Sequence, residues 1–168
     1  MSGNKKDLFP FCNNCPVGKK CCTGDEQQFW PYLLESDIER ICRITGLTKN
    51  DFVGEEKHPS MGHTVFCLRR EPNKTCLFFD CQKGECKIEP DKPIDCRLFL
   101  LDIRKKGREY HWIIYTLCQP NKEQIRRLIE YAQKELLPFL MPEIESYATF
   151  PERDVPPGFV YIQEILTK

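Results

Sequence analysis

Two groups of cysteines carry the residues best suited to chemistry in this chain. The first group is the turn Cys12-Asn-Asn-Cys15 followed, after Gly18, by the adjacent pair Cys21-Cys22. A C-x-x-C turn lets two thiolates approach one metal, and Gly18 allows the chain to double back and present the next pair. Because neighbouring side chains point apart, the adjacent pair suits two metals or a multi-iron cluster better than a single tetrahedral ion.

The second group runs from Cys76 to Cys96, with Cys81 and Cys86 between them. Its cysteines alternate with apolar residues that would bury the sulfur atoms, and Gly84 allows a turn between ligands. The spacing lacks the paired C-x-x-C of a zinc ribbon and the cysteine run of a bacterial ferredoxin. The second group therefore indicates a metal site without selecting either of these known types.

The composition narrows the classes of function. The chain has 168 residues, 11 of them cysteine, and 25 basic residues balance 25 acidic ones. This balance does not favour a nucleic-acid partner, and no apolar run is long enough for a membrane span or a signal peptide. We therefore expect a cytoplasmic protein, in which so many cysteines indicate metal ligation or redox chemistry rather than disulfides.

Between Cys12 and Cys118 the pattern resembles the CxxCxxCC-type cysteine-cluster family, described as putative zinc- or iron-chelating proteins. The family has C-x-x-C, an adjacent C-C, a helix with an acidic start, C-x-F, C-x-I, R-P and C-R-x-F-P. This chain has Cys76-Leu-Phe, Cys86-Lys-Ile and Cys96-Arg97-Leu-Phe, with Lys92 in place of the family Arg and Leu100 in place of the family Pro. Cys81 has no counterpart in the pattern.

The resemblance implies eight thiolate ligands, enough for two four-cysteine sites: Cys12, Cys15, Cys21, Cys22, Cys76, Cys86, Cys96 and Cys118. The family is also distantly similar to flagellin lysine N-methylases, which look like iron–sulfur proteins. We therefore expect an iron–sulfur cluster, of the [4Fe-4S] form, with zinc as the alternative. Arg97, beside Cys96, is a candidate to donate to a cluster sulfur or to offset the cluster's charge.

Three functions stay open at this point. The chain could hold an iron–sulfur cluster for electron transfer or for assisting a modification reaction, with a protein partner. It could instead be a zinc-stabilised interaction module, or a thiol redox or metal-trafficking protein that uses Cys21 and Cys22. The sequence does not decide whether it is an enzyme. Three further cysteines, Cys42, Cys67 and Cys81, are read as core or incidental thiols, and the three histidines His58, His63 and His111 as unlikely ligands.

The elements that must position these residues are predicted from periodicity and caps. We predict a helix from Ser36, capped with Glu39 and ended by Gly46, a helical turn at 48–51, a loop at 54–62 and a strand at 64–69. A hairpin of strands 97–104 and 109–117 follows, and then a helix that starts at Asn121 and ends at Pro138.

The segment 159–166 is predicted to be a last strand or a docking segment. Together these elements predict a small α+β domain over 1–168, with metal-organised cysteine loops and a Pro-punctuated tail at 138–168. The segment 9–24 has little apolar periodicity, so we expect metal to order it.

Overall fold

The computed structural model describes residues 20–23, 31–57, 64–116, 119–147 and 158–164. The backbone divides into two compact units. The described part of unit 1 is 20–23, 31–57 and 64–96, and that of unit 2 is 97–116, 119–147 and 158–164. Helices and small antiparallel sheets occur together in the chain, which confirms the predicted α+β fold class.

Unit 1 consists of short helices and two antiparallel strand pairs. Its elements, in chain order, are α1 (Lys20–Thr23), α2 (Glu35–Thr45), α3 (Lys49–Phe52), β1 (Val53–Lys57), β2 (Thr64–Leu68), β3 (Phe79–Asp80), β4 (Glu85–Cys86) and α4 (Ile94–Leu98). Strand β1 pairs with β2, and β3 pairs with β4. Helix α4 begins in unit 1 and continues into unit 2 at Arg97.

Helix α2 corresponds to the helix predicted from Ser36, but it begins at Glu35. It ends at Gly46 as predicted, and the φ of 73° at Gly46 is a conformation that glycine adopts without a steric penalty. Its first residue precedes Ser36, and the Asp37 carboxylate, not Glu39, accepts the N–H of Leu34 at 3.3 Å. Asp37 is the buried acid of the first turn, so its carboxylate faces the backbone while Glu39 faces solvent.

Strand β1 corrects the prediction of a loop at 54–62. Residues 53–57 pair with β2 in register, while 58–63 lie outside the described residues. The side chains of Glu55, Glu56 and Lys57 are all charged and exposed, so the sequence has no alternation of apolar and polar residues there. The strand could not be predicted because that alternation is the usual signal. Strand β2 is confirmed, and Cys67 within it is a buried core residue, 1% exposed, as predicted.

The core of unit 1 gathers apolar residues from its helices, strands and turns. The buried members are Leu33, Ile38, Ile41, Phe52, Val53, Leu68, Phe78 and Ile88. Phe52 and Phe78 are in ring contact with centroids 5.9 Å apart. Half-buried side chains packed against this cluster include Cys42, Cys76, Cys86 and Cys96. Three of the predicted ligands therefore share one core.

Unit 2 contains a three-stranded antiparallel sheet and a run of helical segments. Its elements after α4 are β5 (Leu101–Lys106), β6 (Glu109–Tyr115), α5 (Lys122–Tyr131), a π-helical turn (Ala132–Leu136), α6 (Leu137–Leu140), a 3-10 turn (Met141–Glu143), α7 (Ile144–Tyr147) and β7 (Phe159–Glu164). The strand order is β5-β6-β7. Strand β7 confirms the last-strand interpretation of 159–166.

The predicted hairpin is strands β5 and β6, joined at Gly107 with a φ of 63°. Its first strand starts at Leu101 and not at Arg97, because Arg97 and Leu98 belong to helix α4. The apolar run 98–101 is buried at Leu98, Leu100 and Leu101. A short buried apolar run cannot be assigned to helix or strand by periodicity alone, which explains the error.

Helix α5 begins as predicted, with reciprocal bonds between Asn121 and Gln124 of 2.8 and 2.9 Å. The prediction that it ends at Pro138 is wrong, since helical structure continues to Tyr147. Pro138 lies in the first turn of α6, after a π-helical turn, where a missing N–H leaves no helical bond broken. Among the described residues, no helix is long and apolar enough to cross a membrane.

Candidate metal centre

Four of the eight predicted ligands have described side chains, and all four lie in unit 1: Cys22, Cys76, Cys86 and Cys96. Cys21 lies in α1, where only its backbone is described. Cys12, Cys15 and Cys118 lie outside the described residues. The structure therefore places half of the predicted set.

A backbone hydrogen bond joins the two cysteine groups. The N–H of Cys76 donates to the carbonyl of Cys22 at 2.7 Å, across more than fifty residues of sequence. Cys76 also forms an isolated antiparallel bridge with Arg70. The end of α1 and the start of the second cysteine group are consequently held side by side.

Cys76 and Cys86 begin two turns of the same build. The carbonyl of Cys76 accepts the N–H of Phe79 at 2.9 Å, and the carbonyl of Cys86 accepts the N–H of Glu89 at 3.3 Å. Burial raises the pKa of both thiols, and in each turn the amide two residues after the cysteine, that of Phe78 or of Ile88, donates to the sulfur and offsets this in part. Such N–H groups favour the thiolate form that binds metal.

The two turns are joined by the antiparallel pair of β3 and β4, each two residues long. Strand β3 pairs with β4 so that Phe79 lies opposite Cys86, and the N–H of Lys87 donates to the carbonyl of Phe78 at 2.7 Å. Phe78 and Ile88 are buried, 5% and 6% exposed. The same short hairpin thus presents two sulfurs and inserts two apolar side chains into the core.

Cys96 lies in helix α4, a different element from those that carry the other three cysteines. Burial raises the pKa of its thiol well above the usual range, and the charges of Asp95, Cys76 and Cys22 raise it further. Burial is also the main cause of the raised pKa of Cys76 and of Cys86, and the charge of Cys76 adds to the latter. Because Cys76, Cys86 and Cys96 pack on the same core and the N–H of Cys76 donates to the carbonyl of Cys22, the four residues lie in one region of unit 1.

Positively charged side chains near the cysteines lower the thiol pKa values and so oppose the effect of burial. Arg70 and Lys87 lower the pKa of Cys76, and Lys92 lowers that of Cys86 and Cys96. Lys92 is also paired with Glu89 at 2.8 Å. A metal ion would extend this effect, since coordination removes the thiol proton outright.

The described residues hold no group of three or more His, Cys, Asp or Glu side chains already placed to hold a metal ion. Thiols are nevertheless the donors that a thiophilic metal prefers. Cys76 and Cys86 accept amide N–H groups, and Cys76, Cys86 and Cys96 border an apolar core.

The other cysteines lie in different surroundings. Cys42 is half-buried on the core, and Cys81 is exposed in the turn between β3 and β4. The Cys67 thiol donates to the carbonyl of Gly54 at 3.6 Å, and burial raises its pKa to about 11. None of these three has a described interaction with the four clustered thiols.

Arg97 and the histidines complete the candidate residues. Arg97 lies in unit 2, where its guanidinium donates to the Tyr131 hydroxyl at 3.1 Å. The ring of His111 contacts that of Tyr161 edge-on, with centroids 5.9 Å apart. His58 and His63 lie outside the described residues.

Sequence reasoning missed the residues that support the cysteines. The amide donors of Phe78 and Ile88 carry no side-chain signal, although their positions two residues after a cysteine could have suggested them. Asp37 and Arg40 stand three residues apart on α2 and bond to the segment before Cys96. A spacing of three residues on a helix is compatible with a local ion pair, but a contact across more than fifty residues leaves no trace in one sequence.

Comparisons with family models, with curated proteins and with solved structures found no match for this chain. The resemblance to the CxxCxxCC-type family therefore stays a prediction, and the description of the site stands on the geometry above.

Proposed function

We propose that this chain holds an iron–sulfur cluster on cysteine thiolates and uses it for electron transfer or to assist a modification reaction. The observation that carries the proposal is that Cys76, Cys86 and Cys96 pack on one core of unit 1, with the N–H of Cys76 bonded to the carbonyl of Cys22. These residues come from distant parts of the sequence, so their proximity is a product of the fold. The remaining predicted ligands, Cys12, Cys15, Cys21 and Cys118, stay candidates for the same or a second centre.

The surroundings of the sulfurs suit a cluster. Amide N–H groups donate to Cys76 and Cys86, and the apolar side chains of Phe78 and Ile88 are buried beside them. Hydrogen bonds to sulfur and exclusion of solvent are the means by which proteins set the potential of such clusters. When bound, an iron–sulfur cluster supplies one-electron redox chemistry.

Zinc is the second candidate, and one observation favours it. A site formed by Cys22, Cys76, Cys86 and Cys96, three of which pack on the core of unit 1, would complete a tetrahedral structural zinc site with no corner left for a substrate. In that case the metal would stabilise the turns around β3 and β4, each of which is only two residues long. The protein would then be an interaction module.

A thiol redox or metal-trafficking role has less support. Reactive cysteines have a lowered pKa and are exposed, whereas burial raises the pKa of Cys76, Cys86 and Cys96. We propose a cytoplasmic location, because cysteines there are kept reduced and serve metal binding or redox chemistry rather than structural disulfides. With 25 basic and 25 acidic residues, we propose a protein partner rather than a nucleic acid.

Metal analysis of the full chain tests the proposal. The protein is purified without oxygen and assayed for iron, acid-labile sulfide and zinc, and its visible absorption spectrum is recorded. We expect iron and sulfide in equal amounts with a sulfur-to-iron charge-transfer band. Colourless protein with stoichiometric zinc would establish the zinc alternative, and protein that binds neither metal would refute both.

A further inference from the structure

A buried carboxylate of α2 reaches the segment that leads to Cys96. Asp37 is 0% exposed, and its Oδ1 accepts the N–H of Ile94, the first residue of α4, at 3.0 Å. Its Oδ2 accepts the N–H of Leu34 at the start of α2 at 3.3 Å. One side chain therefore joins the beginnings of two helices that are far apart in sequence.

Arg40, one turn further along α2, completes the connection. Its guanidinium pairs with Asp37, and it donates to the carbonyl of Asp91 at 3.3 Å and to that of Lys92 at 3.1 Å. We call Asp37 and Arg40 the α2 clamp. The clamp bonds to residues 91, 92 and 94, directly before Cys96, and the N–H of Tyr32 donates to the carboxylate of Asp95 at 3.1 Å.

We propose that Asp37 and Arg40 are positioning residues that place the Cys96 thiolate for metal binding, an inference that rests on the proposed function. The segment 90–93, between the backbone-bonded turn at 86–89 and α4, lies in neither a strand nor a helix. The bonds from Asp37 and Arg40 hold this segment and the first residue of α4. Partners that orient metal ligands typically change metal affinity by roughly tenfold to a hundredfold when they are removed.

Helix capping alone does not explain the clamp. Asp51 has the same position in α3 and accepts the N–H and the hydroxyl of Thr48, each at 2.7 Å, while exposed to solvent. Capping therefore does not require burial of the acid. Burying a charged pair carries a desolvation cost that apolar residues would avoid, and such pairs are retained in some proteins for the specific geometry they impose.

The first test labels the metal-free full chain with a maleimide and follows each cysteine by peptide mass spectrometry. The variants are Asp37→Asn and Arg40→Lys, the second of which keeps the charge beside Asp37 but cannot span both carbonyls. Asp51→Asn is the matched control. We expect Cys96 to react roughly tenfold faster in the first two variants, while the buried Cys67 keeps its rate, in line with local opening.

The labelling experiment tests, in the absence of metal, whether the α2 clamp holds Cys96 in place. Unchanged reactivity of Cys96 in both variants would overturn the proposal. Equal acceleration of Cys96 and Cys67 in both would also overturn it, because the pair would then support the whole unit. If Asp37→Asn alone fails to fold, the reactivity of Cys96 in Arg40→Lys tests the proposal.

The second test titrates the same proteins with Co²⁺ and follows the thiolate-to-cobalt charge-transfer band. We expect Asp37→Asn and Arg40→Lys to weaken binding roughly tenfold to a hundredfold, and Asp51→Asn to bind as the unaltered chain does. Unaltered affinity in both clamp variants would overturn the positioning role, whereas no Co²⁺ binding by the unaltered chain would refute the proposed function instead.

Discussion

Burial gives the Cys67 thiol a different chemistry from that of an exposed cysteine. Its side chain is 1% exposed, its hydrogen points at the carbonyl of Gly54, and burial raises its pKa to about 11 from an ordinary 9.0. The same cause acts on Cys76, Cys86 and Cys96, but there amide N–H groups or lysine charges oppose it. These groups offset burial only in part, so the pKa of each clustered thiol is still raised, and binding of a metal would be needed to remove its proton.

The raised pKa of Cys67 predicts a loss of stability in alkali. A group with a raised folded-state pKa stabilises the fold fully below its unfolded pKa, and this contribution is lost as the pH rises through the folded pKa. The window is therefore from 9.0 to about 11. Across it, we expect the stability advantage of the unaltered chain over Cys67→Ala to shrink by on the order of 2 kcal/mol.

Urea unfolding in reducing buffer, at pH values below and near the top of that window, measures this change. Cys81→Ala is the control, since its side chain is exposed. A difference between the unaltered chain and Cys67→Ala that stays constant with pH would contradict the prediction.

The hairpin of β5 and β6 depends on one backbone conformation. Gly107 has a φ of 63°, and no atom lies within 4 Å of the position that a Cβ would occupy there. The cost of an alanine is therefore conformational rather than steric, and we expect Gly107→Ala to lower the free energy of unfolding by about 1 kcal/mol.

Gly54→Ala is the comparison, because Gly54 has no positive φ and a Cβ there would meet the Cys67 sulfur at an ordinary 3.5 Å. Denaturant unfolding of both variants decides the matter. A smaller loss in Gly107→Ala than in Gly54→Ala would show that backbone strain does not control the turn.

Elements with local signals were predictable from sequence, and those set by distant contacts were not. Asn121 with Gln124, and Gly46, mark helix ends through their own chemistry, and the structure has the ends where these residues predict them. Strand β1 carries exposed charges and exists through its pairing with β2, which no local pattern records. Helical structure also passes Pro138 because a π-helical turn precedes it.

The candidate site also has features that local sequence predicts and features that only distant contacts determine. Cysteine spacing and family resemblance selected Cys76, Cys86 and Cys96 and set Cys81 apart, and Cys81 is exposed in the structure. Spacing could not predict which cysteines would lie in the same region, since the bond from Cys76 to Cys22 and the clamp on residues 91–94 are long-range.

At the scale of the whole molecule, the two units differ in how their backbone is held. In unit 2, strand β6 is paired on both sides, and Glu145 of α7 accepts a bond from Lys105 at 2.6 Å. In unit 1, the cysteine turns are held by two-residue strands and single backbone bonds. Local opening is easiest where such bonds are few.

We therefore expect metal removal to loosen the turns at 76–79 and 86–89 before the β5–β6 hairpin or α5. Hydrogen exchange of the full chain with and without a chelator measures this. The N–H of Phe79 and that of Glu89 should lose protection, while that of Ile125 in α5 should not change. Equal protection of the cysteine turns in both states would show that metal does not organise them.

The most direct test of the metal centre compares Cys96→Ser with Cys81→Ser. A serine hydroxyl is a far poorer ligand than a thiolate, so a ligand position loses metal on this change and an exposed bystander does not. Cys22→Ser should behave as Cys96→Ser, and Cys42→Ala and Cys67→Ala as Cys81→Ser. The measurement is metal bound per chain after anaerobic purification: we predict that Cys96→Ser loses it and Cys81→Ser retains it, and full retention by Cys96→Ser or full loss by Cys81→Ser would contradict the assigned ligands.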